Sequence, residues 1–463
     1  MHLDVDFISK VLGNVHMHNG SFPRDSLFGV DTRTLQKGDV FVALKGEQVD
    51  GHDFIEEALE KDVSGFVLSN HKKNELLKKF GSKLLEKHLL FVDDTFQALL
   101  ELAKNWRAQF DYPVVAITGS VGKTTTKEMV RNILKLTDKK FLVSFGNQNT
   151  LVGVSLNILK MRPYHHVAVF EVGIGKQGVM KQLADLLRPT FSVITKVGYG
   201  HMEGLGDLSS VAHEKREVFS CFSDRDIGII NGDQEELTDI SYAHPVIRFG
   251  YKTTNQIQAR KVVIANNITT FVAKIYDKKY PVVLQGCHQA RIMNALAAIS
   301  VGYVLQIPNE LLIQGIEQPI VVNGRFQIFE HHSGSVLIND GYNANPDSTK
   351  ASLLALQAYE TDKQKVVVLG DMLELGIDTL FWHRQIGRFL SKLTEVHHVV
   401  LIGTHVKATQ KTLPLGMKST LFTTSLEAFE LLKNMLLEKN KVFLFKGSNS
   451  VKLSSLVEKL RDL

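Results

Sequence analysis

The stretch that decides the fold is VVAITGSVGKTTTKEMVRNILKL, residues Val114 to Leu136. An apolar strand runs into a turn that contains Gly119 and Gly122, and a helix begins directly after it. Glycines let backbone N–H groups surround phosphate oxygens, and the positive end of the helix adds to their attraction. Lys123 is expected to reach the terminal phosphates, and the Thr124 hydroxyl to bind magnesium. The stretch predicts a nucleoside triphosphate site without specifying a reaction.

The phosphate loop is shorter than the common one. Two residues separate Gly119 and Gly122, where the common loop has four between its glycines. Because Gly-Lys-Thr also occurs by chance, an ordinary strand-to-helix turn is the alternative for the loop taken alone. The strand before the loop and the helix after it favour phosphate binding.

Strand and helix patterns divide the chain into three parts. At ~150 residues each, its 463 residues correspond to about three domains. We predict α/β domains at residues 1–109, 110–322 and 323–463: a small first domain, a central phosphate-loop domain with a parallel sheet, and a C-terminal Rossmann-like domain. The C-terminal strands are predicted at SVLIND, KVVVLG, HHVVLIG and KVFLFKG. The β-rich segment Ala259 to Leu284 is predicted as an antiparallel edge or an insertion.

Composition excludes several classes. Hydrophobic residues make up 44% and charged residues 22%, as in an ordinary globular protein. The net charge of +5 is too small and too scattered to predict nucleic-acid binding. Cys221 and Cys287 are too few for a disulfide framework, so we expect a reducing, cytoplasmic setting. The first residues lack the unbroken apolar stretch of a secretion signal, and no run approaches the ~18 apolar residues of a membrane span.

Two polar residues follow neighbouring apolar strands of the central part. Glu171 ends VAVFE, and His201 lies just beyond SVITK. Because the carboxyl ends of parallel strands meet at one edge, both side chains can converge on the phosphate loop. Taken singly, the alternative for Glu171 is a surface carboxylate at a strand end, and the alternative for His201 is an ordinary loop histidine. In SSVAHEKREVF, predicted as a helix capped by Ser209, Lys215 lies between glutamates and by default belongs to a solvated face.

Several strings, in order, resemble the Mur ligase family and together span nearly the whole chain. They are TGSVGKTT, GNQNTLVGV, VAVFEVG, SVITKVGYGHMEGLG, HQARIMNALAAI, NGRF, LINDGYNANPDS, GDMLELG and FKGSNS. The resemblance implies that ATP is bound by Gly119, Ser120, Val121, Gly122, Lys123, Thr124, Thr125, Asn294, Arg325, Asp340 and Asn343. It implies magnesium ligands Thr124, Glu171, His201 and Lys215, the last as a carbamate. It implies a catalytic set of Lys123, His201, Lys215 and Arg325.

The first part resembles the domain that holds a uridine diphosphate sugar in some members of the family. Its string is GVDTRTLQKGDVFVALKGEQVDGHDFIEEA, residues Gly29 to Ala58, and His52 to Gly65 is predicted as a helix closed by Gly65. Folylpolyglutamate synthetases, which belong to the family, lack such a domain. The resemblance implies substrate contacts from Asp31, Thr32, Arg33, Gly51, His52, Asn147, Asn149, Tyr342 and Asn345.

The resemblance implies a specific ligation in peptidoglycan synthesis. ATP activates the carboxylate of a UDP-N-acetylmuramoyl tripeptide as an acyl phosphate, and D-alanyl-D-alanine attacks it. The alternative within the family is addition of a single amino acid, but the Asp-Asn-Pro-Arg string of those members is absent. The alternative from another class is a phosphate-loop switch without ligation. A monomer is expected. Departures from the family pattern occur at Lys196, Asn339, Asn449 and in the spacing from Gly286 to Asn294.

Overall fold

The computed structural model describes residues 3–13, 15–438 and 440–463, which form three sheets along the chain. The first sheet has five strands, the second nine and the third six. Helices pack against these sheets, as predicted for an α/β protein. Within the described residues, no helix is both long and apolar enough to cross a membrane.

The first sheet has the strand order β1-β5-β4-β3-β2 and is parallel except for β1. Its strands are β1 (His16–His18), β2 (Phe28–Gly29), β3 (Val40–Val42), β4 (Gly65–Ser69) and β5 (His88–Val92). Its helices are α1 (Val5–Leu12), α2 (Ile55–Glu60), α3 (Lys73–Leu85) and α4 (Thr95–Arg107), with short 3-10 turns at Gly51–Phe54 and Asn70–Lys72.

The second sheet has the order β14-β13-β12-β11-β10-β9-β6-β8-β7. Its strands are β6 (Val114–Thr118), β7 (Phe141–Val143), β8 (Val167–Glu171), β9 (Phe191–Ile194), β10 (Ile227–Asn231), β11 (Val246–Gly250), β12 (Ile257–Ala265), β13 (Ile268–Ile275) and β14 (Lys278–Gln285). Its helices are α5 (Lys123–Lys135), α6 (Leu151–Ile158), α7 (Val179–Leu187), α8 (Met202–Leu205), α9 (Leu208–Arg216), α10 (Glu235–Thr238), α11 (Ala290–Val304) and α12 (Asn309–Glu317), with a 3-10 turn at Glu217–Phe219. The inner parallel strands β6 and β8 are buried on both faces, and β12 to β14 form an antiparallel edge.

The third sheet has the order β15-β16-β20-β17-β18-β19, with only β15 antiparallel. Its strands are β15 (Gln327–Glu330), β16 (Val336–Asp340), β17 (Gln364–Gly370), β18 (Val396–Ile402), β19 (Lys418–Phe422) and β20 (Lys441–Lys446). Its helices are α13 (Pro346–Ala358), α14 (Thr379–Leu390), α15 (Val406–Gln410), α16 (Phe429–Leu437) and α17 (Leu453–Arg461), with 3-10 turns at Gly376–Asp378 and Asn449–Val451. The four predicted C-terminal strands are present, and β15 and β19 extend the sheet at its two edges.

Two local predictions are wrong. The helix predicted from His52 ends at Glu60, because the chain turns at Asp62 with a positive φ of 52° and Gly65 then begins β4 instead of closing the helix. The cap of α9 is Asp207 and not Ser209, since the Asp207 carboxylate accepts the Ser210 N–H at 2.7 Å. Neither difference moves an element away from the site.

Candidate functional site

The phosphate loop lies between two other strand ends. Strand β6 runs into this loop, and its neighbours are β8, which ends at Glu171, and β9, which leads to His201. In an open α/β sheet, ligands bind beyond the carboxyl ends of the strands. The strand order therefore places Glu171 and His201 on opposite sides of the phosphate loop.

The phosphate loop is tightly packed at its second glycine. Gly122 has a φ of 87°, and a Cβ there would lie 2.2 Å from Asn294 Oδ1 of α11. Only glycine fits this left-handed, crowded position. The Lys123 Nζ donates to Gly119 O at 2.7 Å, so the side chain folds back over the loop. Burial lowers the pKa of Lys123, the charge of Glu171 opposes the shift and that of Arg325 adds to it.

Glu171 is buried with one carboxylate oxygen left over. Its Oε1 accepts the Asn149 Nδ2–H at 2.8 Å, and its Oε2 is buried without a hydrogen-bond partner among the described residues. The fully buried Lys127 Nζ lies 3.9 Å from Oε2 and donates to Ser144 O and Gly146 O. A buried carboxylate oxygen without a hydrogen bond is costly, so this oxygen fits a cation ligand.

His201 is held by a residue from the third sheet. It has a left-handed φ of 59° just before α8, and its Nδ1 lies 2.7 Å from Glu374 Oε2. Hydrogen bonding with His201 lowers the pKa of the Glu374 carboxyl. Glu374 belongs to the GDMLELG string after β17. This contact joins the central and C-terminal parts of the chain.

Lys215 is buried, contrary to the default expectation of a solvated helix face. Only 2% of the residue is exposed. Burial holds the pKa of its ammonium well below the ordinary range, and the positive charge of Lys123 lowers it further. Its neighbour Glu214 accepts the N–H groups of Gly178 and Met180 and so fixes the start of α7. Burial and the neighbouring positive charge therefore both favour the neutral amine of Lys215 over its ammonium form.

Arg325, predicted to bind ATP, contacts Tyr342, which is predicted to bind substrate. Its guanidinium carbon is 4.2 Å from the centre of the Tyr342 ring, a cation–π contact. The Asn147 Nδ2–H donates to the Tyr342 hydroxyl across the two sheets. Asn147 and Tyr342, both predicted to contact substrate, are thus brought together.

Asp340 faces a buried network. One oxygen accepts the Phe326 N–H at 3.0 Å, and the other accepts from Ser352 and lies 3.0 Å from Lys446 Nζ. Lys446 also donates to Asn343 O at 2.5 Å. Asp340 therefore holds the loop after β16, while the nucleotide contact predicted for it stays a prediction.

The predicted residues of the first part contact other residues of that part and do not line the cavity between the central and C-terminal sheets. Arg33 pairs with Asp31 at 2.6 Å, and the Thr32 hydroxyl donates to Glu57. The His52 Nδ1 lies 2.6 Å from Asp50, and its Nε2 accepts the Ser69 N–H. A Cβ at Gly51 would lie 2.7 Å from Leu44 N. The Arg33 side chain is 85% exposed, so it is the one of these most accessible to a ligand.

A cavity of about 340 Å³ joins the central and C-terminal sheets. Predicted residues that line it are Ser120, Val121, Lys123, Asn149, Glu171, His201, Arg325, Tyr342, Asn343 and Asn345. Gly119, Gly122, Thr124 and Thr125 belong to the same loop and first helical turn without lining it. The cavity thus brings ten predicted residues together, while Asn147, Lys215, Asn294 and Asp340 do not line it.

Sequence reasoning missed three contributors. Lys127 supports Glu171 from α5, Glu374 holds His201, and Asp347 contacts Lys196 at 2.7 Å. The GDMLELG string signalled the region of Glu374 without indicating its partner. No local pattern marks Lys127 or Asp347, because their partners are distant in sequence.

The fold defines a three-sheet phosphate-loop protein, and residues of its C-terminal Rossmann-like part complete the cavity at the phosphate loop. Three family models match in order: "Mur ligase family, catalytic domain" at 26–106, "Mur ligase middle domain" at 117–302 and "Mur ligase, glutamate ligase domain" at 324–449. The chain belongs to the Mur ligase family, and ATP is the nucleotide that this assignment supports.

Similar proteins cover almost the full chain. The UDP-N-acetylmuramoyl-tripeptide--D-alanyl-D-alanine ligase of Bacillus subtilis (strain 168) is 31% identical over 96% of this chain and 95% of its own length. A crystal structure of MurF from Acinetobacter baumannii is 26% identical with a TM-score of 0.84, covering 99% and 98%. A structure of MurF ligase from Thermotoga maritima in complex with ADP is 26% identical with a TM-score of 0.77, covering 94% and 97%.

Proposed function

We propose that this protein joins D-alanyl-D-alanine to UDP-N-acetylmuramoyl tripeptide at the expense of ATP, in cytoplasmic peptidoglycan precursor synthesis. The observation that carries the proposal is the cavity shared by Lys123 and Glu171 of the central part and Arg325 and Tyr342 of the C-terminal part. A ligase needs activation and amine attack in one place, and a cavity between two parts of the chain provides it. The full-length relatives bear the name of this ligation.

The reaction has two steps. A carboxylate oxygen of the precursor attacks the γ-phosphorus of ATP, and ADP leaves with the electron pair of the broken bond. The amine then attacks the acyl carbon, an amide C–N bond forms and phosphate leaves. Lys123 and Arg325 are placed to stabilise the charge on the transferring group. His201 and the carboxylates of the cavity are the bases available to accept the amine proton.

Magnesium fits the residues present. Glu171 offers a buried oxygen without a hydrogen bond among the described residues, and Thr124 lies in the first turn of α5, directly after the phosphate loop. Among residues 3–13, 15–438 and 440–463, no three His, Cys, Asp or Glu side chains converge as a ready-made metal site. We therefore expect phosphate oxygens and water to complete the shell, as magnesium prefers. When bound, magnesium neutralises phosphate charge.

Lys215 is suited to carbamylation. The residue is buried, which favours the neutral amine, and a neutral amine can attack carbon dioxide, forming a C–N bond and releasing a proton. The resulting carboxylate is an oxygen ligand of the kind magnesium takes. His201 and Lys215 complete the proposed metal set, and the five residues of the first part, with Arg33 foremost, form the proposed uridine diphosphate contact.

The test is phosphate release and product mass with ATP, magnesium and UDP-N-acetylmuramoyl tripeptide, with and without D-alanyl-D-alanine. We expect release that requires the dipeptide, yields the pentapeptide product and is lost in Lys123→Ala. Release that ignores the dipeptide but responds to a free amino acid with the shorter precursor would assign single amino-acid addition. ATP turnover indifferent to every precursor would overturn the ligase proposal.

A further inference from the structure

An ion pair joins the central and C-terminal parts beside the phosphate loop. The Lys196 Nζ, just after β9, donates to Asp347 Oδ1 at 2.7 Å. The other oxygen of Asp347 accepts the Tyr199 N–H at 3.1 Å. Asp347 lies in the first turn of α13, where the helix dipole favours a negative charge. Both oxygens of this carboxylate are therefore engaged by the loop that follows β9.

The same loop is attached to the phosphate loop. The Ser120 N–H donates to Lys196 O at 2.7 Å, and the Ser120 hydroxyl is within 3.0 Å of both Gly198 N and Gly198 O. A Cβ at Gly198 would lie 2.4 Å from Asp347 Oδ2, so glycine permits the close approach. Asp347 and Ser120 thus both contact one short segment, residues 196–200.

The start of α13 carries residues of the cavity. Asn345 caps this helix by accepting the Ser348 N–H at 2.8 Å, and both residues line the cavity. The Tyr199 ring also lies 4.2 Å from the Trp382 ring, which adds an apolar contact next to the ion pair. A shift of Asp347 relative to segment 196–200 would therefore move Asn345 relative to Lys123.

We propose that Lys196 is a positioning residue that acts through Asp347: the ion pair fixes the start of α13 over the phosphate loop and so sets the place of the incoming amine substrate. This inference rests on the proposed function for its substrate. The Lys196 side chain is 38% exposed and that of Asp347 21%, so salt is expected to weaken the pair.

The kinetic test separates positioning from chemistry. In Lys196→Met we expect the KM for D-alanyl-D-alanine to rise about 3- to 5-fold, the size of an exposed ion pair, while kcat and the KM for ATP stay within about 2-fold. Asp347→Ala also removes the bond from Tyr199 N–H, so its rise should reach about 10-fold. Lys196→Arg should restore the wild-type KM, and the Lys196→Met effect should shrink between about 0.05 M and 0.5 M KCl.

Two controls exclude misfolding: an exchange of the two charges, and a second ion pair elsewhere in the chain. The Lys196→Asp, Asp347→Lys double variant should recover most of the KM lost by Lys196→Asp alone. The pair Lys104–Asp185, 2.5 Å long with side chains 37% and 49% exposed, joins α4 to α7 away from the cavity. Lys104→Met should leave the dipeptide KM unchanged. The proposal would be overturned if Lys104→Met and Lys196→Met raised the dipeptide KM equally. It would also be overturned if Lys196→Met raised the KM values of all substrates together.

A distance measurement tests the inference without the ligation. Spin labels placed on the central and C-terminal sheets of the full chain report their separation with a non-hydrolysable ATP analogue and magnesium. We expect a broader, longer distribution in Lys196→Met than in wild type or Lys104→Met. If wild type makes no product while this difference is present, the proposed function fails and the role of the ion pair stands. An unchanged distance distribution in Lys196→Met would show that the ion pair does not position the C-terminal part.

Discussion

The central and C-terminal parts meet in two regions that are built differently. At the cavity-side contact, defined by Lys196–Asp347, His201–Glu374 and Asn147–Tyr342, side chains meet side chains. The first pair is an ion pair, and the second joins an imidazole to a carboxylate. The second region lies at the turn between β12 and β13 and is made largely of hydrogen bonds to backbone groups.

This hairpin-side contact is defined by Asn266, Asn267, Glu360, Cys287 and Ala355. The Asn267 side chain exchanges hydrogen bonds with Glu360 N and Glu360 O at 2.8 and 3.0 Å, and the Asn266 N–H donates to the Glu360 carboxylate at 2.7 Å. The buried Cys287 Sγ lies 3.1 Å from Ala355 O. Backbone hydrogen bonds are less sensitive to salt than exposed ion pairs. The hairpin side is therefore expected to stabilise the arrangement, while the cavity side determines activity.

The largest effect that sharpens this comparison is expected at Glu171. Glu171→Gln keeps an acceptor for Asn149 but removes the charge at the buried oxygen, so kcat/KM should fall about 10²- to 10³-fold, as when a charge-stabilising group is lost. Thermal unfolding should not occur at a lower temperature, because the substitution is isosteric. Activity should regain part of the loss at raised magnesium. If Glu171→Gln lost stability as well as activity, the cavity side would also stabilise the fold, and the two contacts would not have separate roles.

A smaller effect is expected at Arg325. Arg325→Lys keeps the charge but loses the planar group over the Tyr342 ring, so kcat/KM should fall about 10-fold. Tyr342→Phe keeps the ring and removes only the hydroxyl that accepts from Asn147. We expect Tyr342→Phe to retain more activity than Arg325→Lys in steady-state kinetics. The reverse order would mean that the hydrogen bond across the sheets matters more than the stacked guanidinium.

Whether the sequence predicted a contact depends on how far apart its two residues lie along the chain. The three α/β parts and the phosphate loop follow from local periodicity and glycine spacing, so they were predictable. The placement of Glu171 and His201 required only the rule that parallel strand ends meet. The pairs His201–Glu374 and Lys196–Asp347 join residues more than 100 positions apart, and no local pattern encodes them. Lys215 shows the same limit, because its helix face appears polar while tertiary packing buries it.

The hairpin-side region also contains a pH-sensitive group. Burial lowers the pKa of His288 to about 4, and its Nδ1 is buried without a hydrogen-bond partner among the described residues. Because the folded pKa lies below the ordinary 6.5, the unfolded chain binds the proton first as pH falls. The contribution of neutral His288 to the free energy of unfolding is therefore fully present above pH 6.5 and is lost progressively toward pH 4.

We expect His288→Gln to lose less stability than wild type on going from neutral to acidic pH. His288 is half-buried as a residue, so the difference should be about 1–2 kcal/mol, less than the full ~1.4 kcal/mol per pKa unit would give. Urea unfolding of both proteins above and below pH 6.5 measures it. A difference that does not change with pH would show that His288 is not the titrating group.

The smallest effect is expected at the turn itself, and it is the sharpest test of the two-contact comparison. Asn266 and Asn267 have positive φ values of 52° and 56°, so glycine preserves the turn in either place. Asn267→Gly removes both hydrogen bonds to the Glu360 backbone and should cost about 1 kcal/mol of unfolding free energy. Asn266→Gly keeps those bonds and the Asn266 N–H donor, so it is the matched control and should cost less.

The two contacts predict different outcomes for Asn267→Gly. Because the cavity-side pairs stay intact, kcat/KM for the dipeptide should remain within about 2-fold, while the Glu360 amide exchanges its hydrogen faster than in Asn266→Gly. Hydrogen exchange and steady-state kinetics on the same samples measure both. If the dipeptide KM rose as far as in Lys196→Met, the hairpin side would share in positioning the C-terminal part. Stabilisation and positioning would then depend on one continuous interface.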